Sequence, residues 1–155
     1  MSGIRSLLLA LRERLDDLRR RRPRDPKALG RAGERHAARW ARRQGYRIAG
    51  RNIHGRGRGA GEADLITIAP DRHTIVIFEV KTRERDADAP NPRDLPPEAA
   101  LNQHKRQTLR ALARELAREH RWGKRPVQID ALAIEFIVRA DRVVDHVVRH
   151  YQRIA

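Results

Sequence analysis

The chain has 155 residues, with 35 Lys and Arg set against 20 Asp and Glu for a formal net charge of +15. It contains no cysteine, which excludes disulfides and thiolate chemistry and leaves oxygen or imidazole to hold any metal. No segment has the apolar length needed to cross a bilayer. The opening "MSGIRSLLLALRERL" lacks a small-residue cleavage site, so a cytoplasmic location is expected.

Ile4, Leu8, Leu11, Leu15 and Leu18 recur at helical spacing, which predicts an amphipathic helix over residues 4 to 22. "RRRRPRDPK" follows as a linker, so residues 1–27 read as a basic helical extension and 28–155 as one domain. The extension is either a solvated arm or a grip on phosphates or an anionic membrane surface. A second helix is expected from Ala28 to Gln44, stopped by Gly45. "YRIAGRNI" reads as a strand, "HGRGRGAG" as a cationic loop, and "EADLITIA" and "TIVIFEVK" as an antiparallel hairpin turned at "PDRH". Residues 83 to 97 carry four prolines and alternating charge, the pattern of an exposed loop. Pro97 to His120 is the longest helical pattern, with Leu101, Leu109, Leu112 and Leu116 as candidate buried positions. "PVQIDALAIEFIV" is the most apolar strand and is expected to be central in the sheet. "RVVDHVVRHYQ" is read as a final strand. Helix, three strands, helix and two strands make an α/β sandwich around a mixed sheet.

The positive charge is spread along the chain: residues 1 to 30 hold nine basic and four acidic residues, leaving +10 for the remainder. A field of that sign favours a polyanion, and Arg adds bidentate phosphate recognition that Lys lacks. Nucleic acid is the expected partner. A GC-rich genome that writes Arg for Lys, together with a ribosome-sticky surface, is the plain alternative.

The hairpin sets charges where a core is expected. Glu79 and Lys81 share a strand face, and a turn near residues 70 to 73 brings Asp64 beside Glu79. Two carboxylates on one face repel unless a cation lies between them. Lys81 could serve as that cation in a structural ion-pair cluster. A divalent ion held by hard oxygen ligands would satisfy the site better, with Mg²⁺ expected and Mn²⁺ as the alternative.

The D64…E79-V80-K81 pattern resembles the D…(D/E)-x-K signature of restriction-endonuclease-like nucleases. With "GRAGERHAARWARRQGYRI", "GEADLI" and "FEVKTR", it resembles more narrowly the YraN-like family of predicted endonucleases, related to archaeal Holliday-junction resolvases. The resemblance implies a restriction-endonuclease-like three-layer sandwich. It also implies a metal-dependent endonuclease acting on DNA, branched or otherwise structured, in repair or recombination. Asp64 and Glu79 would be metal ligands beside the main-chain carbonyl of Val80. Lys81 would orient or deprotonate the attacking water, and Glu34 would lean over the site as a further ligand. Gln103 and Lys105 would contact phosphate from the start of the long helix. Junction enzymes are two-fold symmetric, so a homodimer is implied by analogy. The competing class is a basic nucleic-acid-binding module without catalysis, associated with DNA, RNA or the ribosome.

Arg56 and Arg58 lie in the glycine-rich loop ahead of Asp64. There they either grip a phosphodiester or sit in a flexible loop with no ligand. Glu34 has an ordinary reading too, as a helix residue paired with Arg31 or Arg35. Glu62 is expected to bridge a nearby Arg. His146 and His150 have a metal-like spacing but would stand roughly 13 Å apart on a strand, so they read as surface histidines. Trp40 and Trp122 are read as core residues.

Overall fold

The computed structural model describes residues 22–23, 25–56, 60–89 and 103–155. The helix expected over residues 4 to 22 therefore lies outside the described residues, apart from Arg22. So do Arg58, Leu101 and most of the proline-rich stretch.

Helix α1 (Pro26–Arg43) starts at Asp25, whose side chain accepts from the Ala28 N–H at 2.7 Å, with proline in the first turn where a missing N–H costs nothing. It ends at Gly45, which takes φ +85°. The Gly45 N–H bonds the Arg42 carbonyl and the Tyr46 N–H bonds the Ala41 carbonyl, a closure that a left-handed glycine permits. The chain then forms β1 (Arg47–His54), β2 (Glu62–Ile68) and β3 (Ile75–Asp86). Helix α2 (Gln103–Glu119) precedes β4 (Val127–Arg139) and β5 (Arg142–Tyr151).

The five strands lie in the order β1-β2-β3-β4-β5, antiparallel throughout except for the parallel β3–β4 pair. Side-chain alternation gives the sheet two apolar faces. Leu65, Val76, Phe78, Leu132, Ile134 and Phe136 pack under Ala37, Ala38 and Ala41 of α1. Ile66, Ile68, Ile75, Ile77, Ile129 and Ala131 pack under Leu109, Leu112 and Leu116 of α2. Each fully buried Leu, Ile or Phe contributes about 1.5–3 kcal/mol, so the two helical layers supply most of the cohesion. The result is the expected α/β three-layer sandwich.

Two expectations are corrected. The strand at "TIVIFEVK" does not end at Lys81; it runs to Asp86, through residues read as loop, because β4 pairs with it in unbroken register from Ile75↔Val127 to Asp86↔Val138. Charged "KTRERD" carries no hydrophobic alternation, and its strand state comes from that neighbour's main chain. β4 is interior but not central: β3 takes the middle, and β4 is flanked by β3 and the edge strand β5. Trp40 and Trp122 pack against the two core clusters, as expected.

Candidate active site

The β2–β3 hairpin turns on Asp71. Its carboxylate accepts from the His73 and Thr74 N–H groups and from the Thr74 hydroxyl, the last at 2.6 Å. From there the ladder runs Ile68↔Ile75, Thr67↔Val76, Ile66↔Ile77 and Leu65↔Phe78, and stops. One more step would pair Asp64 with Glu79, and there the strands part. β2 continues beside β1 to His54↔Glu62, while β3 continues beside β4. The Val80 N–H, left without a main-chain acceptor on β2, donates to Asp64 Oδ2 at 2.6 Å.

By alternation Asp64 shares the side of Ile66 and Ile68, and Glu79 and Lys81 share that of Ile75 and Ile77, beneath α2. Glu79 is only 3% exposed. Lys81 Nζ holds its Oε1 at 2.8 Å, and Lys105 Nζ, from the first turn of α2, lies 3.1 Å from Oε2. The Lys105 contact is an ion pair without hydrogen-bond alignment, so Oε2 is buried with no hydrogen bond.

Burial, and next the neighbouring Glu79 charge, push the Asp64 carboxyl up to about 6, with Glu34 adding a smaller push. The Val80 N–H and Lys105 pull the other way. Asp64 thus resists ionisation chiefly because it is buried beside Glu79, although the chain as a whole is strongly basic.

Glu34 stands on α1, on the opposite side of the sheet, and comes near the fork because α1 packs very closely there. A Cβ on Gly33 would fall 1.7 Å from Thr82 Oγ1, so only glycine admits this approach. Glu34 Oε2 accepts from Asn52 Nδ2 at 3.0 Å. Asn52, on β1 with φ +50°, belongs to the site's surroundings, and nothing in "YRIAGRNI" singled it out.

The other residues named from sequence divide. Lys105 joins the site, as the partner of buried Glu79. Gln103 is exposed at the start of α2. Arg56 is turned to α2: its N–H donates to Glu115 Oε1 at 2.7 Å, and its guanidinium pairs with Glu119. Among the described residues Glu62 lies 3.5 Å from His54 rather than beside an arginine. The histidines of β5 are not simple surface groups. His150 bonds fully buried Asp130 at 2.7 Å, and the His146 ring packs against that of His36, because α1 covers that face of β5.

The donors around the fork fit a hard divalent cation: two converging carboxylates, one with a buried oxygen lacking a hydrogen bond, and one acid held back from ionising. Among the described residues no three Asp, Glu, His or Cys groups form a complete ligand cage.

The forked mixed sheet, with a helix on each face and its acids at the parting of the strands, is the sandwich of restriction-endonuclease-like proteins. The sequence profile of the "Uncharacterised protein family UPF0102" matches residues 33–134, which include Glu34, Asp64, Glu79, Lys81 and Lys105. The chain belongs to this family, the YraN-like family that its motifs resemble. It is 35% identical over 113 residues to a UPF0102 protein of Alcanivorax borkumensis, covering 72% of this chain and 82% of that one. It is 35% identical over 119 residues to a UPF0102 protein of Solibacter usitatus, covering 77% and 82% respectively. A UPF0102 protein of Pelobacter propionicus is 32% identical over 129 residues, covering 83% and 85%. Among the described residues no helix is long and apolar enough to cross a membrane.

Proposed function

We propose that this protein is a metal-dependent endonuclease that hydrolyses phosphodiester bonds in DNA, with branched or otherwise structured DNA as the preferred substrate. The observation carrying this reading is the convergence of Asp64, Glu79, Lys81 and Lys105 at the point where β2 and β3 part. Mg²⁺, or Mn²⁺ in its place, would be held by Asp64, Glu79 and the main-chain carbonyl of Val80, with Glu34 near enough to bear on the same ion. When bound, the ion supplies a water of lowered pKa and neutralises charge on the phosphate.

The chain's own groups do the rest. The Val80 N–H holds one Asp64 oxygen, so the carboxylate is oriented before any ligand arrives. Lys81, paired with Glu79 in the free protein, would orient the incoming water and offset charge on the non-bridging oxygens. The water oxygen bonds to phosphorus as the bond to the leaving deoxyribose oxygen breaks, and the proton that the water gives up balances the one that the leaving oxygen takes up. Lys105 approaches from α2 and neutralises Glu79 in the free protein. Paired nicks on a branched substrate would call for two copies of the chain related by a two-fold axis.

A second reading is favoured by one contact set. Lys81 and Lys105 already balance Glu79, as they would in a binding module that never takes up a metal. Labelled duplex, flapped, branched and single-stranded DNA, with matching RNA, separate the two readings in the presence and absence of Mg²⁺ or Mn²⁺. Cleavage that requires the ion and falls by roughly 10²-fold or more in Lys81→Ala supports the enzyme. A clean preparation that binds these substrates but never cuts them leaves only the binding module.

A further inference from the structure

Helix α2 carries a charge pattern that the fork does not use. Arg106, Arg110, Arg114 and Arg118 recur at four-residue spacing and so form one ridge on its surface. At about 1.5 Å of rise per residue, successive members stand about 6 Å apart and the ridge is about 18 Å long. It begins beside Lys105, whose ammonium pairs with Glu79 at the fork, and runs toward the C-terminal end of the helix.

The arginines of this ridge are unopposed. Helical arginines are usually balanced by acids three or four residues away. The two acids of α2, Glu115 and Glu119, are both turned to Arg56: Glu115 Oε1 accepts from its N–H at 2.7 Å, and Glu119 pairs with its guanidinium. Arg110, Arg114 and Arg118 are exposed, and among the described residues none of the four ridge side chains makes a hydrogen bond or ion pair. Arg106 is half-buried, with an Nε that is cut off from water and has no acceptor. Like charges four residues apart weaken a helix, and a buried donor without a partner costs more.

An anion with regularly repeated charge, laid along the ridge, relieves both costs. A phosphodiester backbone has that repeat, and guanidinium takes its oxygens two at a time. The exposed neighbours on α2 are Gln103, His104, Gln107 and Ala111, which supply no apolar face for a membrane interface. No Phe, Tyr or Trp lies in the helix to stack an unpaired base, so a duplex suits it better than a single strand.

We infer that Arg106, Arg110, Arg114 and Arg118 form a track for the phosphate backbone of duplex DNA. Continuing from Lys105, the track receives a duplex arm that flanks the bond at the fork. That placement rests on the nuclease reading; capture of the duplex by α2 does not.

Binding of the full chain to a fluorescent duplex DNA oligonucleotide in EDTA, across a range of salt concentrations, tests the track without cleavage. Arg110→Gln/Arg114→Gln removes two exposed cations, and Gln matches Arg in helix propensity, so the fold is preserved. Arg31→Gln/Arg42→Gln makes the same charge change at exposed positions on α1, across the sheet. The α2 variant is expected to bind about tenfold more weakly and to lose about two units of the log–log salt slope; the α1 variant keeps the wild-type slope. Equal slopes in the two variants, or no binding of the duplex by wild type at low salt, overturn the track. Phosphatidylserine vesicles are the second probe. Vesicle binding that falls in the α2 variant while its DNA slope stays unchanged assigns the ridge to a membrane surface and overturns the proposal. Should the double variant melt well below wild type, Arg114→Gln alone is read for a loss of about one unit, with an unchanged slope counting against the track. A wild type that shows these slopes but never cleaves with Mg²⁺ removes the nuclease reading and leaves the track standing.

Discussion

Asp64 Oδ2 and the main-chain N–H of Val80 are joined at 2.6 Å across the point where their strands separate. A side chain thereby takes the place of a ladder hydrogen bond, and the hairpin opens without leaving that amide unsatisfied. The same contact holds the carboxylate beside Glu79, so the geometry that makes the site also makes it electrostatically strained.

Asp64→Asn should therefore stabilise the metal-free protein at neutral pH. The amide oxygen can still accept from Val80, and the charge opposing Glu79 is gone. Because the folded-state value lies near 6, above the usual 3.8, the penalty is absent below about pH 4, grows between 4 and 6, and is full above 6. Thermal melts in EDTA should show the variant gaining on wild type across that window, by on the order of 2 kcal/mol at pH 7. Saturating Mg²⁺ should stabilise wild type and not the variant, which should no longer cut.

Lys105→Ala removes one of the two cations on Glu79. Buried carboxylates tolerate such losses badly, but Lys105 is partly solvated and Lys81 remains, so a cost of about 1 kcal/mol is expected in EDTA. A divalent ion replaces the missing charge. Denaturation with and without Mg²⁺ should show a larger metal-induced gain in this variant than in wild type.

Gly33→Ala should destabilise the fold by about 1–3 kcal/mol through overpacking of α1 against β3. Thr82→Ala should rescue only part of this, because the Thr82 Cβ itself would lie 2.8 Å from the new methyl group, whereas Thr82→Gly should rescue more. Chemical denaturation of the single and double variants measures this directly. Since Glu34 follows Gly33, the single variant should also cut less well than its stability loss alone explains.

Asp71 organises the hairpin turn from a fully exposed position. The Thr74 hydroxyl, then the His73 and Thr74 N–H groups, hold its carboxyl down to about 2. Its stabilisation is complete above about pH 4 and disappears as pH falls through 2. Asp71→Ala should melt below wild type at pH 5 to 7, with the gap closing in acid; an NMR titration of the carboxyl carbon would give the shifted value itself.

Local pattern carried much of the architecture. Leucine spacing disclosed α2, the Gly45 stop marked the end of α1, and the apolar runs marked β2 and the start of β3. "D64…EVK" exposed the acids because charges inside apolar strands are costly enough to stand out. Residues 83–86 were not legible as strand, since "RERD" alternates in charge and not in hydrophobicity; only pairing with β4 makes them extended. Arg56 read as a loop cation free to meet phosphate, yet Glu115 and Glu119, about sixty positions away, hold it.

Composition and periodicity alone determined a basic, cysteine-free α/β chain with two acids and a lysine at one hairpin, because hydrophobic burial and charge placement leave a mark on neighbouring residues. Tertiary structure decided which charges meet. Lys105 reaches Glu79 through helix packing, Glu34 nears Asp64 through the glycine contact at Thr82, and three arginines from two strands close on Glu135. These encounters join residues up to 52 positions apart in the numbering, and Coulomb and hydrogen-bond energies depend on distance in space, which local sequence does not encode.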